Sequence, residues 1–170
     1  MPLYRYVESS GKSEPISMSS LAPFEFHPRA WSDRASSAVI MPVQRQLDVA
    51  LRHNEMQKAL YHRLVLQYGG NVTFENPSGV GTRVDLVVQR ENGYWFYEIK
   101  TAQSPRACLR EAIGQLLEYA FWPGAPTVTR LIVVGETPIE ENGREYLRRL
   151  KERFSLPLEY ENISLNDVEA

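Results

Sequence analysis

Cysteine is nearly absent from the sequence, which contains the single thiol of Cys108. One cysteine cannot form an internal disulfide, so the chain is not a disulfide-stabilised secreted domain. No apolar run approaches the roughly 20 residues that a membrane-spanning helix needs, and the first residues lack the apolar stretch of a signal peptide. We therefore expect a cytoplasmic protein without a membrane partner, in which Cys108 packs in a helix rather than acting as a nucleophile.

An excess of positive charge is also absent. The formal net charge is -2, whereas a protein dedicated to coating nucleic acid has a basic surface. This balance argues against a coat protein but does not exclude an enzyme that meets phosphates at one local patch. The glycine-containing segment 77–82 lacks the GxGxxG and GxxxxGK(S/T) spacings, so it predicts a turn between strands rather than a nucleotide-binding loop.

What remains is the composition of an ordinary folded domain. The 170 residues are 43% hydrophobic and 24% charged, which suits one domain with a proper core. Residues 1–43 differ, because a serine-rich stretch is followed by prolines without helical periodicity. We expect an N-terminal arm or linker over 1–43 and a single domain over 44–170. The arm includes a candidate short strand, 3–8, and three aromatic residues suited to docking on this chain or another: Phe24, Phe26 and Trp31.

Hydrophobic periodicity predicts an α/β domain with a mixed sheet flanked by helices. A helix precedes the fourth strand, so a parallel crossover is expected there. The predicted elements are helix 44–68, strands 71–76, 83–89 and 94–101, helix 105–121 after the N-cap Ser104, strand 129–136, helix 139–154 and edge strand 156–161. The positions predicted to face inward are Val49, Met56, Leu60 and Leu64 in the first helix, Leu109, Ile113, Leu116, Leu117 and Ala120 in the second, and Tyr146, Leu147, Leu150 and Phe154 in the third.

The second and third strands form the centre of the pattern. Asn92-Gly93 between them is a strong hairpin signal. Asp85 is a lone acid in an apolar run, which is costly to bury without a compensating cation or donor. Because side chains alternate along a strand, Glu98 and Lys100 share one face and lie roughly 6.6 Å apart.

A hairpin that brings Asp85 near Glu98 places two carboxylates at one sheet edge, where a divalent ion would offset their repulsion. Mg²⁺ binds oxygen ligands, keeps several waters and uses one or two protein carboxylates beside substrate phosphates. Lys100 would then orient the attacking water and stabilise developing negative charge. The alternative is an ordinary solvated strand pair, with Asp85 as a rim residue.

The first helix contains further candidates. Glu55 lies on the border of the apolar stripe, and it is either an extra acid that reaches the metal cluster or a surface glutamate. His53 and His62 are nine positions apart, which is not a same-face ligand spacing, so both are interpreted as surface or boundary residues.

The second helix carries Gln115 in line with Glu111 and Tyr119 at four-residue steps. An amide and a phenol beside the acids can hydrogen-bond water, a phosphate or the lysine, although both residue types are common at a core boundary. Arg106 and Arg110 near the helix start are either phosphate contacts or solvated side chains.

Three segments together resemble the PD-(D/E)xK nuclease superfamily: Val84-Asp85, Glu98 to Lys100, and the helical segment IGQLLEYA over 113–120. The helix with Gln115 and Tyr119 resembles the branch that includes recombination-repair exonuclease domains and related phage or defence nucleases. The resemblance covers roughly Gln44 to Tyr160 and implies a restriction-endonuclease-like α-β-β-β-α-β core. Val84 stands where the motif name has proline, which shapes the backbone and supplies no ligand.

The resemblance implies a role for each matching position. Asp85, Glu98 and the Ile99 carbonyl would bind Mg²⁺ or Mn²⁺, with Glu55 as the acid from the first helix. Lys100 would position the hydrolytic water, and Gln115, with Tyr119, would support the site.

The function implied is metal-dependent hydrolysis of phosphodiester bonds by a nuclease, an endonuclease among the options, with DNA expected before RNA. The alternative is a catalytically inactive nuclease-fold module for nucleic-acid binding or complex assembly. Analogy with the fold also suggests a homodimer, or association with another module through the N-terminal arm.

Overall fold

The structure is a computed structural model that describes residues 24–31 and 44–165, with the side chains of 44–46 left out. Within these residues the chain forms three α-helices, one short 3-10 helix and five strands. In chain order they are α1 (Gln44–Tyr68), the 3-10 helix Gly69–Asn71, β1 (Val72–Pro77), β2 (Arg83–Arg90), β3 (Gly93–Ile99), α2 (Pro105–Phe121), β4 (Val128–Gly135), α3 (Glu141–Phe154) and β5 (Leu158–Asn162). The strand predicted over 3–8 lies outside the described residues.

The five strands form one mixed sheet in the order β1-β2-β3-β4-β5. The first three are an antiparallel meander, β4 is parallel to β3, and β5 is parallel to β4. The α/β class, the mixed sheet and the parallel crossover through α2 are therefore confirmed. The prediction ran β3 on to Thr101, whereas the strand ends at Ile99 and leaves Lys100 just beyond it. Among the described helices, none has the length and apolarity to cross a membrane.

Two apolar layers cover the two faces of the sheet. On one face α1 packs Met56, Leu60 and Leu64 against alternate residues of the strands, among them Tyr97 and Ile99. On the other face α2 and α3 cover a second layer built around Phe96, Leu116 and Leu131. The two-residue period of β3 therefore sends Phe96 and Glu98 toward the α2 side and their neighbours toward α1.

Three predicted inward positions are wrong. Val49 is 50% exposed, because the first turns of α1 run past the apolar layer that the rest of the helix covers. In α3, Tyr146 and Phe154 are 46% and 65% exposed. Only the middle of α3, at Leu147 and Leu150, contacts the apolar layer, since this helix covers little of the sheet and buries no residue completely.

Residues 24–31, which we call the strap, cross the β1 edge of the sheet from one apolar layer to the other. Phe24 packs on Tyr94 and Phe96, with ring centroids 5.0 and 5.6 Å away. At its other end, Trp31 packs on Tyr61 and Phe74. The apolar residues of this part of the arm therefore dock on their own chain.

Polar side chains of β1 hold the strap in place. Asn76 is buried; its Oδ1 accepts a hydrogen bond from His27 N, and its Nδ2 donates to Glu25 O, both at 3.0 Å. The buried Thr73 hydroxyl donates to His27 O. These bonds satisfy strap backbone groups that would otherwise lie against the sheet without partners.

Candidate active site

A cavity of about 530 Å³ opens at the carboxyl end of β3, between α1, α2 and the first two strands. The titratable side chains that line it are His53, Glu75, Asp85, Glu98, Lys100 and Glu111. Asp85, Glu98, Lys100 and the Ile99 backbone, four of the sequence-predicted site elements, are thus brought together.

Asp85 and Glu98 occupy the first positions at which the β2–β3 ladder opens. The paired residues end with Leu86 and Tyr97, one pair before the two acids. In place of a ladder bond, Asp85 Oδ2 accepts a hydrogen bond of 2.8 Å from the Ile99 amide. The Asp85 carbonyl accepts another from Gln57 Nε2 on α1 at 3.0 Å. The aspartate is therefore held by the end of β3 and by the first helix.

Glu98 is the most deeply buried charged group of the cavity, with 4% of its side chain exposed. Its Oε1 accepts a bond of 2.8 Å from Lys100 Nζ. Among the described residues, Oε2 is one of two buried side-chain oxygens without a hydrogen-bond partner. Burial and then the charge of Asp85 raise the pKa of Glu98 to about 7, against the opposing effect of Lys100.

Lys100 enters the cavity directly after β3. Its backbone amide donates to the Val134 carbonyl of β4 at 2.8 Å, which fixes the point where the side chain leaves the sheet. The side chain is 18% exposed and its ammonium is paired with Glu98. Glu98 and Lys100 therefore lie on the same side, as predicted, and they form an ion pair.

The first helix contributes His53, which lines the cavity although its sequence pattern predicts a surface or boundary residue. Its Nε2 lies 3.2 Å from Asp85 Oδ2, and the side chain is 29% exposed. Burial opposes protonation of the ring, but the hydrogen bond and charge of Asp85, with the charge of Glu98, outweigh it and raise the pKa of His53. The missed signal was its four-residue spacing from Gln57, which is buried on the same side of the helix.

Glu55, the predicted acid from this helix, is not brought to the other residues. Its side chain is exposed and does not line the cavity. Two positions along a helix correspond to a rotation of about 200°, so the face that presents His53 turns Glu55 away.

Gln115 and Tyr119 lie one helical turn apart on α2, as predicted, with Gln115 Nε2 3.4 Å from Tyr119 Oη. Tyr119 is buried, and burial together with the negative charge of Glu98 raises its pKa. Gln115 itself borders a neighbouring groove that shares Glu111 with the cavity. Gln115 therefore contacts Tyr119 but does not line the cavity that holds the acids.

Two acids of the cavity, Glu75 and Glu111, were not predicted. In the part of the chain that the structure describes, no three His, Cys, Asp or Glu side chains form a ready metal-binding group. Two carboxylates and a carbonyl are nevertheless a ligand set that Mg²⁺ accepts when water and phosphate complete its coordination. The buried oxygen of Glu98 that lacks a partner suits such a cation.

Comparisons of the chain with protein-family models, with curated proteins and with solved structures found no match.

Proposed function

We propose that the protein is a metal-dependent nuclease that hydrolyses phosphodiester bonds, with DNA as its substrate. The observation that carries the proposal is the meeting of Asp85, Glu98 and Lys100 in one cavity, where a buried carboxylate oxygen has no hydrogen-bond donor among the described residues. A purely structural role does not need two adjacent acids and an amine at a sheet edge, because buried charges cost stability unless fully compensated.

Each residue of the site would have a separate role in binding the metal or in hydrolysis. Asp85 and Glu98, with the Ile99 carbonyl, would hold Mg²⁺ or Mn²⁺. When bound, such an ion polarises a scissile phosphate and lowers the pKa of an attacking water. Lys100 would orient that water and balance the negative charge that develops on the phosphate. His53 would hold Asp85 in place through its contact with Oδ2.

The element order supports the same proposal. A helix, an antiparallel meander, a second helix and a parallel fourth strand are the parts that the PD-(D/E)xK resemblance implies, and the acids lie at the predicted strand positions. The preference for DNA over RNA rests on that resemblance. Since the net charge is -2, the chain as a whole does not attract the phosphate backbone of DNA, so binding would depend on contacts at a local patch.

A cleavage assay tests the proposal. The purified chain is incubated with supercoiled plasmid and with end-labelled single- and double-stranded DNA and RNA, in Mg²⁺, Mn²⁺ or EDTA. Lys100→Ala is prepared in parallel with Lys151→Ala, a matched control at an exposed lysine of α3. We expect cutting that requires the metal, is lost in Lys100→Ala and persists in Lys151→Ala, and plasmid nicking would indicate endonuclease activity.

Two results would count against hydrolysis. Cutting that persists in Lys100→Ala would come from a contaminant or from other residues. Tight nucleic-acid binding without cutting, equal with metal and EDTA, would favour the alternative of an inactive nuclease-fold module.

A further inference from the structure

A second groove, of about 640 Å³, runs along α2 and shares Glu111 with the cavity that holds the acids. We call it the α2 groove. It continues from Glu111 to Phe121 and Trp122 at the end of the helix. Glu111 and Phe121 are ten positions apart, which at about 1.5 Å per position corresponds to about 15 Å along the axis. That length matches roughly four stacked nucleotides of one strand, at about 3.4 Å each.

Two aromatic side chains face solvent at the far end of the α2 groove. Phe121 is 59% exposed and Trp122 is 43% exposed, although both residue types are usually well buried. The backbone at Trp122 is fixed, because its amide donates to Glu118 O at 3.0 Å and its carbonyl accepts from Ala125 N at 2.9 Å. An exposed ring on a fixed backbone loses little conformational freedom when a flat ligand stacks on it.

Gly114 keeps the middle of the α2 groove open. A glycine in a helix interior is less favourable than an alanine, and steric crowding does not explain it here. An added Cβ would have no described neighbour within 4 Å beyond the local helix backbone. The position without a side chain therefore allows a bound ligand to approach the helix closely.

The charges of the α2 groove favour bases over phosphates. Among the described residues that line it, two are acids, Glu111 and Glu118, and one is a cation, Arg110. A duplex presents its phosphates outward, where the carboxylates would repel them. Unpaired bases instead offer flat faces to the aromatic rings and amino groups to the carboxylates. Of the two arginines considered as phosphate contacts, Arg110 lines the groove beside Glu111, whereas Arg106 does not.

We propose that the α2 groove binds a short unpaired stretch of the substrate strand, with its bases stacked on Phe121 and Trp122 and a phosphate near Arg110. This inference rests on the proposed function and adds a substrate class, a single strand or a duplex with an unpaired end. Stacking is nearly independent of sequence and does not need a basic surface, which suits a chain with a net charge of -2.

Binding of single strands in EDTA tests the groove independently of hydrolysis. Fluorescence anisotropy of a labelled, unstructured DNA strand of about 12 nucleotides, longer than the groove, gives Kd for the wild type, Phe121→Ala, Trp122→Ala and Phe154→Ala. Phe154→Ala is the matched control, because Phe154 on α3 is 65% exposed and lies outside the groove. Kd should rise about tenfold for each groove variant and change little for the control.

A strand with abasic sites probes the same contact in the unaltered chain, so the test does not depend on the folding of any variant. Removal of the bases should weaken binding about tenfold, and a duplex of the same sequence should also bind more weakly than the single strand. Arg110→Ala should weaken binding at about 0.05 M salt and much less at about 0.3 M, because salt screens a phosphate contact. The losses in Phe121→Ala and Trp122→Ala should persist at both concentrations.

Equal Kd for the wild type and both groove variants, an equal loss in Phe154→Ala, or full affinity for the abasic strand would overturn the inference. Absence of wild-type binding in EDTA would also overturn it. The nuclease proposal survives each of these results if Lys100→Ala still abolishes metal-dependent cutting. Stacking losses without any metal-dependent cutting would instead overturn hydrolysis and leave the groove as a single-strand site.

Analytical ultracentrifugation examines the other occupant of an exposed aromatic groove, a second copy of the chain. A wild-type dimer that Trp122→Ala converts to a monomer, with unchanged affinity for the strand, would make the groove a contact between copies and overturn the inference. A monomer in both cases, together with the expected rise in Kd, supports it.

Discussion

Replacing Glu98 with glutamine should remove a pH-dependent loss of stability from the metal-free protein. Burial and the neighbouring Asp85 raise the pKa of Glu98 from its ordinary 4.5 to about 7 in the folded state. An acid with a raised folded pKa binds its proton more tightly when folded, so its effect on stability is absent below the unfolded pKa. The penalty grows as the pH rises from about 4.5 to about 7 and is constant above that range.

The size of the effect follows from the same values. The difference between 4.5 and about 7, at about 1.4 kcal/mol for each pH unit, corresponds to a free energy on the order of 3 kcal/mol. Most of it falls between pH 5 and 8, where we expect the wild type to lose about 2–3 kcal/mol more than Glu98→Gln. Glutamine has nearly the same shape and does not ionise, so packing is changed little.

Urea unfolding in EDTA at pH 5, 6, 7 and 8 measures the difference. His53 also has a raised pKa, so its stabilising effect is present below about 6.5 and is lost as the pH rises through the folded value. Both groups therefore lower the stability of the wild type as the pH rises. The variant His53→Gln is included so that the contribution of His53 can be separated from that of Glu98. If wild type and Glu98→Gln lose stability in parallel across this range, the carboxylate is not the buried, repelled group described above.

Three further sets of substitutions test the contact of His53, the hydrogen bonds that hold the strap, and the packing around Gly135. NMR titration should give His53 a pKa above 6.5, and Asp85→Asn should lower it, because Asp85 supplies the hydrogen bond and the nearest charge; identical values would contradict that contact. Asn76→Ala should cost about 2–3 kcal/mol in urea unfolding, because it leaves buried strap groups without partners, whereas the matched change at exposed Asn54 should cost little. Gly135→Ala should cost about 1–3 kcal/mol, since the added methyl would meet Tyr160 Oη and Cys108 Sγ. Gly114→Ala on the open face of α2 should instead stabilise by about 1 kcal/mol, and equal losses at both glycines would refute the steric argument.

The sequence was sufficient to predict the hairpin at the centre of the site. Gly93 has a φ of +136°, and a Cβ there would lie 2.5 Å from Thr127 O, so the Asn-Gly signal coincides with a real backbone requirement. Once the turn sets the register, the two-residue period places Asp85 opposite Glu98 and Lys100 on the face of Glu98. These inferences depend on local geometry, which sequence patterns report well.

Positions in the first helix could not all be predicted from the hydrophobic pattern. Each position turns the helix by about 100°, so a residue on the border of the apolar stripe cannot be assigned to the cavity from periodicity alone. The resemblance implies Glu55 as the acid from this helix, whereas His53 is the residue that contacts Asp85. Val49 follows the apolar period yet is exposed, because the stripe continues beyond the sheet that the helix covers.

Two other features have no local signal. A glutamate rarely adopts a positive φ, so nothing in the neighbourhood of Glu75 predicts its conformation. The strap is held by contacts between residues 46 to 51 positions apart, such as those of Thr73 and Asn76. Contacts between residues so far apart in the sequence depend on the whole fold, and no short sequence motif predicts them.

The two edges of the sheet differ, because the strap covers only one of them. Along β1 the outer boundary is occupied by the chain itself, whereas β5 is the last strand on the opposite side. There, Glu159 and Glu161 hold ion pairs with Arg130 and Arg63. Two copies that joined strand to strand at β5 would bring these acids together and disturb both pairs, so that margin resists self-association. Among the described residues, the helical faces rather than the two edges of the sheet are therefore left for contact with a second copy.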